Sequence, residues 1–316
     1  MGSLKKAVNQ LMGRPTTSQE RVDALGFKER PDHIEWVEAC PGCGSKRFDL
    51  LTEFDRYGFS FPTAFCRQCG LGFLHKRLTS EGYADFYLKW YRPLVSSYSG
   101  RQQDETSIQA EQQRYAKRMA DLSEGFIRGQ NCKSMFDIGG STGIVAKIFR
   151  DRFGLEVTVL DPAPLETAVA DSMGIRSVTC LFEDFETDEK WDVAACFRTI
   201  DHFMDPLACL KKMHRLLNDG GLLLVDIVDF LASAKLTGSL EQATKLDHPF
   251  SFSALTFEPL LARCGFEVQR ICLGRYSRVP YFICRKVEAP FEMPCTEVDR
   301  LYWELTSIPA KAKKKN

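Results

Sequence analysis

One pattern restricts the fold of this chain more than any other: an alternation of apolar strands and amphipathic helices that starts at residue 134. Ser134-Met135-Phe136-Asp137 is a short apolar strand that runs directly into a glycine-rich turn, Gly139-Gly140-Ser141-Thr142-Gly143. Gly143 to Phe153 is amphipathic at helical period, and Val157 to Asp161 is a β-branched strand. Asp192 to Phe197 is a continuous apolar strand. Pro206 to Leu217 reads as a helix, with Leu207, Leu210, Met213 and Leu217 along one face, Pro at its start and Gly220 just past its end. Gly221 to Ile227 is a further strand. Strands that are apolar throughout, with helices between them, suit a mostly parallel sheet covered on both faces. Thr256 to Cys264 then reads as a helix with Thr256 at the N-cap. That places Pro259 in the first turn, where a missing N–H loses no partner. Phe266 to Cys272 and Val279 to Cys284 make a closing hairpin through a Gly-Arg-Tyr-Ser-Arg turn. The expected architecture is α/β, a doubly wound sheet with an antiparallel C-terminal edge strand.

Ahead of that region, Cys40-Pro-Gly-Cys43 and Cys66-Arg-Gln-Cys69 give the spacing C-x2-C-x22-C-x2-C. Each pair sits on a tight knuckle followed by glycine, Gly44 and Gly70, which lets backbone N–H groups turn toward the sulfurs. Four thiolates, from Cys40, Cys43, Cys66 and Cys69, close a tetrahedral zinc site and leave no position for a substrate, so the zinc is read as structural. A β-hairpin between the knuckles takes up the middle spacing. A ribbon of this size has too little core to fold alone, so the metal contributes folding free energy. Its neighbouring charges are mixed, Glu38, Asp49, Glu53 and Asp55 against Arg47, Arg56 and Arg67, which favours a structural or substrate-gating role.

Composition sets the remaining bounds. Lys plus Arg equals Asp plus Glu, 42 of each, so the chain has no net charge and no global footprint for nucleic acid. It has no apolar run of about 18 residues or more and no apolar segment near Met1 to Gly13 that resembles a secretory signal. The expectation is a cytoplasmic protein with reduced cysteines, in which the eight ungrouped ones of the twelve serve as small core side chains. The chain divides into an N-terminal helical or flexible extension (1–35, with Leu4, Val8 and Leu11 at helical spacing) and a zinc ribbon (36–80). A helical lid and linker follow (81–130, with Ile108, Tyr115, Met119, Leu122 and Phe126 on one face), then the sheet domain (131–290) and a C-terminal tail (291–316).

The turn after the first strand fits loosely as a dinucleotide loop, with Asp161 placed to hold a ribose. It does not read G-x-G-x-x-G, however. An Asp two residues before the first glycine suits a cationic amino-acid ligand better than a pyrophosphate. No Tyr-x-x-x-Lys occurs in the chain, which counts against a short-chain dehydrogenase. Asp137, Gly139 and Gly143 match D-x-G-x-x-x-G, and with this motif the chain resembles the class I methyltransferases that use S-adenosylmethionine (SAM), a Rossmann-like family. Ser141 stands where the family often has its middle glycine. The resemblance implies that Asp137, Gly139, Ser141 and Gly143 hold the methionine part of SAM. It also implies that Asp161 takes the ribose hydroxyls, that Phe182 and Asp184 lie near the adenine, and that Phe197 closes the fourth strand where acceptor and sulfonium meet. Ile200-Asp201-His202-Phe203-Met204-Asp205-Pro206 looks like the family's E-H-x-x-D-P segment. The ribbon followed by Phe86-Tyr87 and Tyr91 is similar to the arrangement in deoxysugar C-methyltransferases and related polysaccharide and natural-product enzymes. Their Y-x-E-H segment is here Lys245-Leu246-Asp247-His248, so the tyrosine is absent and the acid–histidine pair is kept.

Methyl transfer from a sulfonium is an in-line displacement in which the enzyme aligns the nucleophile and removes its proton where it has one. His248 with Asp247 is the expected base or orienting pair, and His202 the second histidine near the reacting atoms. The resulting expectation is a SAM-dependent methyltransferase acting on a small biosynthetic acceptor, a nucleotide-linked sugar or glycan precursor. An RNA methyltransferase that grips its substrate with the ribbon and a non-catalytic scaffold are the competing readings.

Overall fold

The computed structural model describes residues 17–100, 105–273 and 278–308. The helical spacing of Leu4, Val8 and Leu11, most of the turn before Arg278, the side chain of Ile108 and the charged segment 311–316 lie outside the described residues. In the N-terminal half, the elements are α1 (Ser18–Asp23), β1 (Ile34–Trp36), β2 (Phe48–Thr52), β3 (Thr63–Cys66), β4 (Gly72–Leu74), β5 (Lys76–Leu78), α2 (Ser80–Lys89), α3 (Tyr91–Ser99) and α4 (Glu105–Gly129). The sheet region follows as β6 (Ser134–Ile138), α5 (Ile144–Phe153), β7 (Glu156–Asp161), α6 (Pro164–Ser172), β8 (Arg176–Thr179), β9 (Trp191–Cys196), α7 (Pro206–Leu216) and β10 (Leu217–Asp226). The chain ends with α8 (Phe230–Thr237), β11 (Phe250–Ser251), α9 (Ala254–Ala262), β12 (Phe266–Cys272), β13 (Tyr281–Lys286) and α10 (Val298–Thr306).

The main sheet has seven strands in the order β12-β13-β10-β9-β6-β7-β8. The neighbours from β10 to β8 are parallel, and β13 runs antiparallel to both β10 and β12. The closing hairpin thus forms one side of the sheet. The antiparallel strand stands second from the edge, and β12 outside it runs with the parallel set. Successive residues of the central strands feed opposite faces. Phe136, Ala194 and Leu223 belong to one apolar cluster, Met135, Val193 and Leu222 to the other. The second face packs on α4 through Met119 and on α5 through Phe149.

A smaller sheet has the order β11-β4-β3-β2. Its outer member β11 comes from beyond residue 249 and pairs antiparallel with β4, Phe250 facing Phe73 and Ser251 facing Gly72. The ribbon therefore shares hydrogen bonds with the segment that follows His248, and Cys66, Leu71 and Phe73 join the core beneath the large sheet. Phe65 packs with Leu231 of α8 and Leu301 of α10. Residues 298–306, expected as tail, are thus a helix that buries Val298, Leu301 and Leu305.

One helix start is also corrected. Ser253, not Thr256, caps α9, its side chain accepting from Leu255 N, so Pro259 lies inside the helix rather than in its first turn. Thr256 is instead buried against the Gly70 knuckle, where a Cβ on Gly70 would meet its Cγ2 at 2.5 Å. Among the described residues, no helix is long and apolar enough to cross a membrane.

Candidate active site

The turn between β6 and α5 is built from strained backbone. Gly139 and Gly143 take positive φ, as does Ser141 at 50°, a conformation that glycine adopts freely and serine at a cost. Ser141 is held there by two contacts: its N–H donates to Asp161 Oδ2 at 2.9 Å and its hydroxyl to Glu166 at 3.1 Å. Asp161 also accepts from Ala163 N at 2.9 Å. Asp137 is buried beneath the turn, and its Oδ2 has no hydrogen-bond partner among the described residues. Burial, then the nearby Asp161, pushes its carboxyl up to about 7. An orphaned buried carboxylate oxygen beside a second carboxylate is a site that a cationic ligand with hydroxyl donors would complete. This is what the ammonium and ribose of SAM offer. Asp137, Gly139, Ser141, Gly143 and Asp161 come together here.

The three remaining cofactor candidates lie elsewhere. Phe182 is buried in the core, ring to ring with Phe136 and Phe203, so its face is not free to stack on an adenine. Leu181, 46% exposed, is the apolar side chain that this segment leaves open, and Asp184 stays on the surface. Phe197 packs among Tyr115, Phe149 and Tyr281. Its neighbour Arg198, at φ 55°, is the residue that reaches outward.

Past the end of β9, a short 3-10 turn, Ile200–His202, brings Asp201 and His202 against the 245–248 segment. Asp201 Oδ2 lies 2.6 Å from His248 Nδ1, and the two imidazole rings stand 4.5 Å apart, edge to face. Lys245 Nζ is 2.7 Å from His248 Nε2. An ammonium only donates, so Nε2 carries the lone pair and Nδ1 the proton, close beside Asp201 Oδ2 but out of line for a hydrogen bond. His202 Nδ1 lies 2.9 Å from the Asp247 carbonyl oxygen, which only accepts, so this nitrogen too is the protonated one. The Tyr87 hydroxyl, 2.6 Å from the same nitrogen, donates to that carbonyl at 3.0 Å.

The expected pairing of His248 with its sequence neighbour is therefore replaced by a pairing with Asp201. The Asp247 carboxylate is fully buried, has no hydrogen bond among the described residues, and stands 3.7 Å from His248 Nε2 and 3.6 Å from Lys245 Nζ. Burial acts to raise both carboxyls. The charged neighbours together outweigh it, His248, His202 and Lys245 at Asp201 and Lys245, His248, His202 and Arg56 at Asp247, so both are held below the ordinary carboxylate range. Burial, then the neighbouring His248, lowers His202 to about 4. Burial also lowers Lys245, against the pull of Asp247. Sequence reasoning gave Asp201 and Lys245 no role, although Asp201 stands at the acidic position of the segment that looks like E-H-x-x-D-P and Lys245 at the tyrosine position of the Y-x-E-H segment.

The 241–251 segment that carries His248 is tied down by the N-terminal half. Buried Asp55 accepts from Leu246 N at 2.9 Å, Arg56 N donates to Thr244 O at 3.0 Å, and the Tyr83 hydroxyl donates to Leu246 O at 2.8 Å. At the far end of the ribbon, the four sulfurs form a compact group, with Cys40 Sγ to Cys69 Sγ and Cys43 Sγ to Cys66 Sγ both 3.5 Å. A tetrahedron with Zn–S near 2.3 Å requires sulfurs about 3.8 Å apart, so the donor set fits a zinc ion. Gly42 N and Gln68 N donate to the Cys40 and Cys66 sulfurs, while Gly44 and Gly70 supply the left-handed turns.

A family model described as Methyltransferase domain matches residues 108–271, more than half of the chain. No curated protein matches it. Among solved structures, the chain is similar to an S-adenosylmethionine-dependent methyltransferase from Clostridium acetobutylicum (12% identity, TM-score 0.47, 54% of this chain and 92% of that one). It is similar to CalS10, an amino pentose methyltransferase from Micromonospora echinaspora (15%, 0.45, 58% and 98%). A third likeness is the mitomycin 7-O-methyltransferase MmcR (19%, 0.48, 65% and 60%).

Proposed function

The chain belongs to the methyltransferase-domain family and is a SAM-dependent methyltransferase, and from that premise we propose that its acceptor is a small biosynthetic molecule, a nucleotide-linked sugar or glycan precursor, deprotonated at oxygen or carbon by His248. The observation that carries this reading is the Asp201–His248 pair with His202 beside it, lying past the carboxyl end of β9 where a doubly wound sheet presents its ligands. Asp137, Gly139, Ser141, Gly143 and Asp161 are the residues that would hold SAM. Bound there, SAM supplies a methyl group on a positively charged sulfur whose departure leaves a neutral thioether.

The chain's own residues handle the acceptor's proton. Asp201 fixes the His248 tautomer, so that Nε2 presents a lone pair toward the site. As the acceptor enters, Lys245 moves its N–H from Nε2 to the acceptor oxygen, and Nε2 takes the acceptor's proton. His202, held neutral, and Tyr87 line the same space and keep water out. The ribbon acts as the support that seats the His248 segment, with zinc as its structural ion.

The test joins two measurements. Titration calorimetry should show one SAM per chain, with Asp161→Ala weakening binding by about 1–3 kcal/mol, the value of hydrogen bonds to a charged group. Mass spectrometry of small molecules that copurify with the protein, after incubation with labelled SAM, should reveal a methylated glycoside. Labelled RNA as the sole product would replace the sugar reading with the nucleic-acid one.

A further inference from the structure

Three arginines stand beside the catalytic cluster without a task in proton transfer. Arg56 follows buried Asp55, and its Nη2 donates to Gln242 O at 2.6 Å. Its guanidinium lies over the Tyr98 ring, 5.9 Å from the centroid, and the Tyr98 hydroxyl donates to Gln242 Oε1 at 2.5 Å. Arg56 Nε is buried and has no hydrogen-bond partner among the described residues. Arg278 comes from a different part of the chain. Its carbonyl accepts from Asp229 N at 2.8 Å, and β13 starts three residues later with Tyr281 opposite Asp226. Because β13 is antiparallel to β10, Arg278 stands at the edge of the sheet where the parallel strands end, which is the edge that carries Asp201 and His202. Arg198, two residues past the end of β9, completes the group. Its N–H and Nε contact Asp226 at 2.7 and 3.3 Å, and its side chain is half exposed.

Among the described residues, neither Arg56 nor Arg278 forms a salt bridge. Arg278 and Arg198 flank Asp226 at one sheet edge, and Arg56 holds the 242–244 segment that leads to Lys245; burial, then the charges of Arg56 and Arg198, lowers Arg278. Like charges gathered in a partly buried place raise the energy of the protein alone, and a bound anion removes that cost. A guanidinium has five donors in a planar fork that matches the paired oxygens of a phosphate or carboxylate. Arg56 spends one donor on Gln242 and keeps others, with Tyr98 stiffening its placement. Arg56 also anchors Thr244, one residue before Lys245, so an anion held here lies next to the reacting end of the acceptor.

We propose that Arg56 and Arg278, assisted by Arg198, form a clamp for an anionic oxygen group, phosphate or carboxylate, carried by the acceptor. The inference rests on the methyltransferase reading and adds to it: one end of the acceptor is negatively charged, and the clamp sets the distance between that charge and the methylated atom.

The experiment uses full-length protein saturated with S-adenosylhomocysteine and three probes in calorimetry: inorganic pyrophosphate, uridine diphosphate and succinate. At least one should bind with one-to-one stoichiometry and weaken as salt rises. Arg278→Gln should weaken that binding by tenfold or more, and Arg198→Gln by less, since Asp226 already engages Arg198. SAM affinity should stay within about twofold in both. Arg56→Gln tests the other half of the clamp, and Arg278→Gln stands as the control that leaves the Gln242 contact in place. Binding of the two phosphates alone assigns the clamp to a phosphorylated acceptor, and binding of succinate alone assigns it to a carboxylated one. The proposal is overturned if SAM-competent protein binds none of the probes, or if Arg56→Gln/Arg278→Gln binds them as tightly as the parent. Methylation of an uncharged glycoside would likewise remove the clamp and leave the proposed activity standing. Failure to bind SAM would remove the activity, whatever the anions do.

Discussion

The large sheet and the ribbon sheet meet in one molecule but are held together by different means. Strands β6 and β9 are buried along nearly their whole length, and helices cover both faces of the seven-stranded sheet. In the ribbon, only β3 and β4 are buried throughout, and much of that burial comes from the body: Cys66 and Phe73 join the core beneath the large sheet, and Phe65 meets α8 and α10. The large sheet carries enough apolar surface to define itself. The ribbon has four thiols at one end and borrowed core at the other. What it gives in return is placement, because β4 is the template for β11, and β11 begins two residues after His248. His248 thus hangs from the ribbon, whereas Asp201, which orients it, hangs from the end of β9.

Zinc removal is the harshest way to break this comparison. Freshly purified protein should carry about one equivalent of zinc by elemental analysis, bound by Cys40, Cys43, Cys66 and Cys69. Structural zinc is worth on the order of 10 kcal/mol of folding free energy at neutral pH, so Cys66→Ser or exhaustive chelation should release the ribbon. Methyl transfer should then fall by more than about a hundredfold, the loss that follows when a general base is displaced. SAM binding, which depends on the large sheet, should stay within about tenfold. Retained turnover in zinc-free protein would show that the ribbon does not seat His248. Lost SAM binding would show that the two regions fold as one unit.

The same division explains what was legible in the sequence. Four of the five parallel strands announce themselves because a strand covered on both faces is mostly apolar, whereas β8, at the edge and with no buried residue, does not; the D-x-G-x-x-x-G turn is legible because it needs residues that tolerate positive φ. The four cysteines are legible because their spacing has few other uses. Contacts across the chain were not. Asp201 and His248 are far apart in sequence, and no periodicity links a 3-10 turn to a loop. The β4–β11 pairing involves two residues of β11, too few to show as an alternation. Phe182 and Phe197 follow strands as cofactor-facing residues would, but their rings turn into the core, and the facing direction of one aromatic after a strand is not encoded locally. The helix α10 was hidden for a similar reason. Its buried Val298, Leu301 and Leu305 need Phe65 and Leu231 opposite them before they count as a core face.

A gentler change separates the two supports of the base. His248→Ala should reduce turnover by about 10²–10⁴ and leave SAM affinity unchanged, since it removes the proton acceptor alone. Asp201→Asn keeps the shape, loses the charge that fixes the tautomer, and should cost less. Single-turnover kinetics distinguishes the two. An Asp201→Asn enzyme with the parent's rate would leave Asp247 as the carboxylate that matters.

The smallest expected effect is on stability, and its sign sets the catalytic cluster against the buried carboxylates of both regions. His202 is held at about 4, below the free imidazole value near 6.5. Between those values the unfolded chain takes up a proton that the folded chain refuses, so His202 weakens folding as pH falls from 6.5 to 4, by at most roughly 3 kcal/mol. Asp201 and Asp247 act lower. Their folded carboxyls lie below the usual range, so their stabilisation is complete above the unfolded value near 4 and is lost only as pH falls through the folded one. Asp137 of the sheet and Asp55 of the ribbon, both raised to about 7 chiefly by burial, have the opposite sign: the folded chain keeps their protons, and folding gains as pH falls from 7 toward 4. Asp226, raised to about 6 by burial, adds to the carboxyl side, so the parent curve mixes contributions of both signs and only a difference isolates the histidine. His202→Gln keeps a donor for the Asp247 carbonyl and removes the titration. Urea unfolding of parent and variant at steps from pH 7 to 4.5 should show the variant gaining stability relative to the parent as pH falls, with most of the gain below pH 6. A constant difference across that range would mean that His202 titrates alike in the folded and unfolded chain, and is not held neutral by burial beside His248.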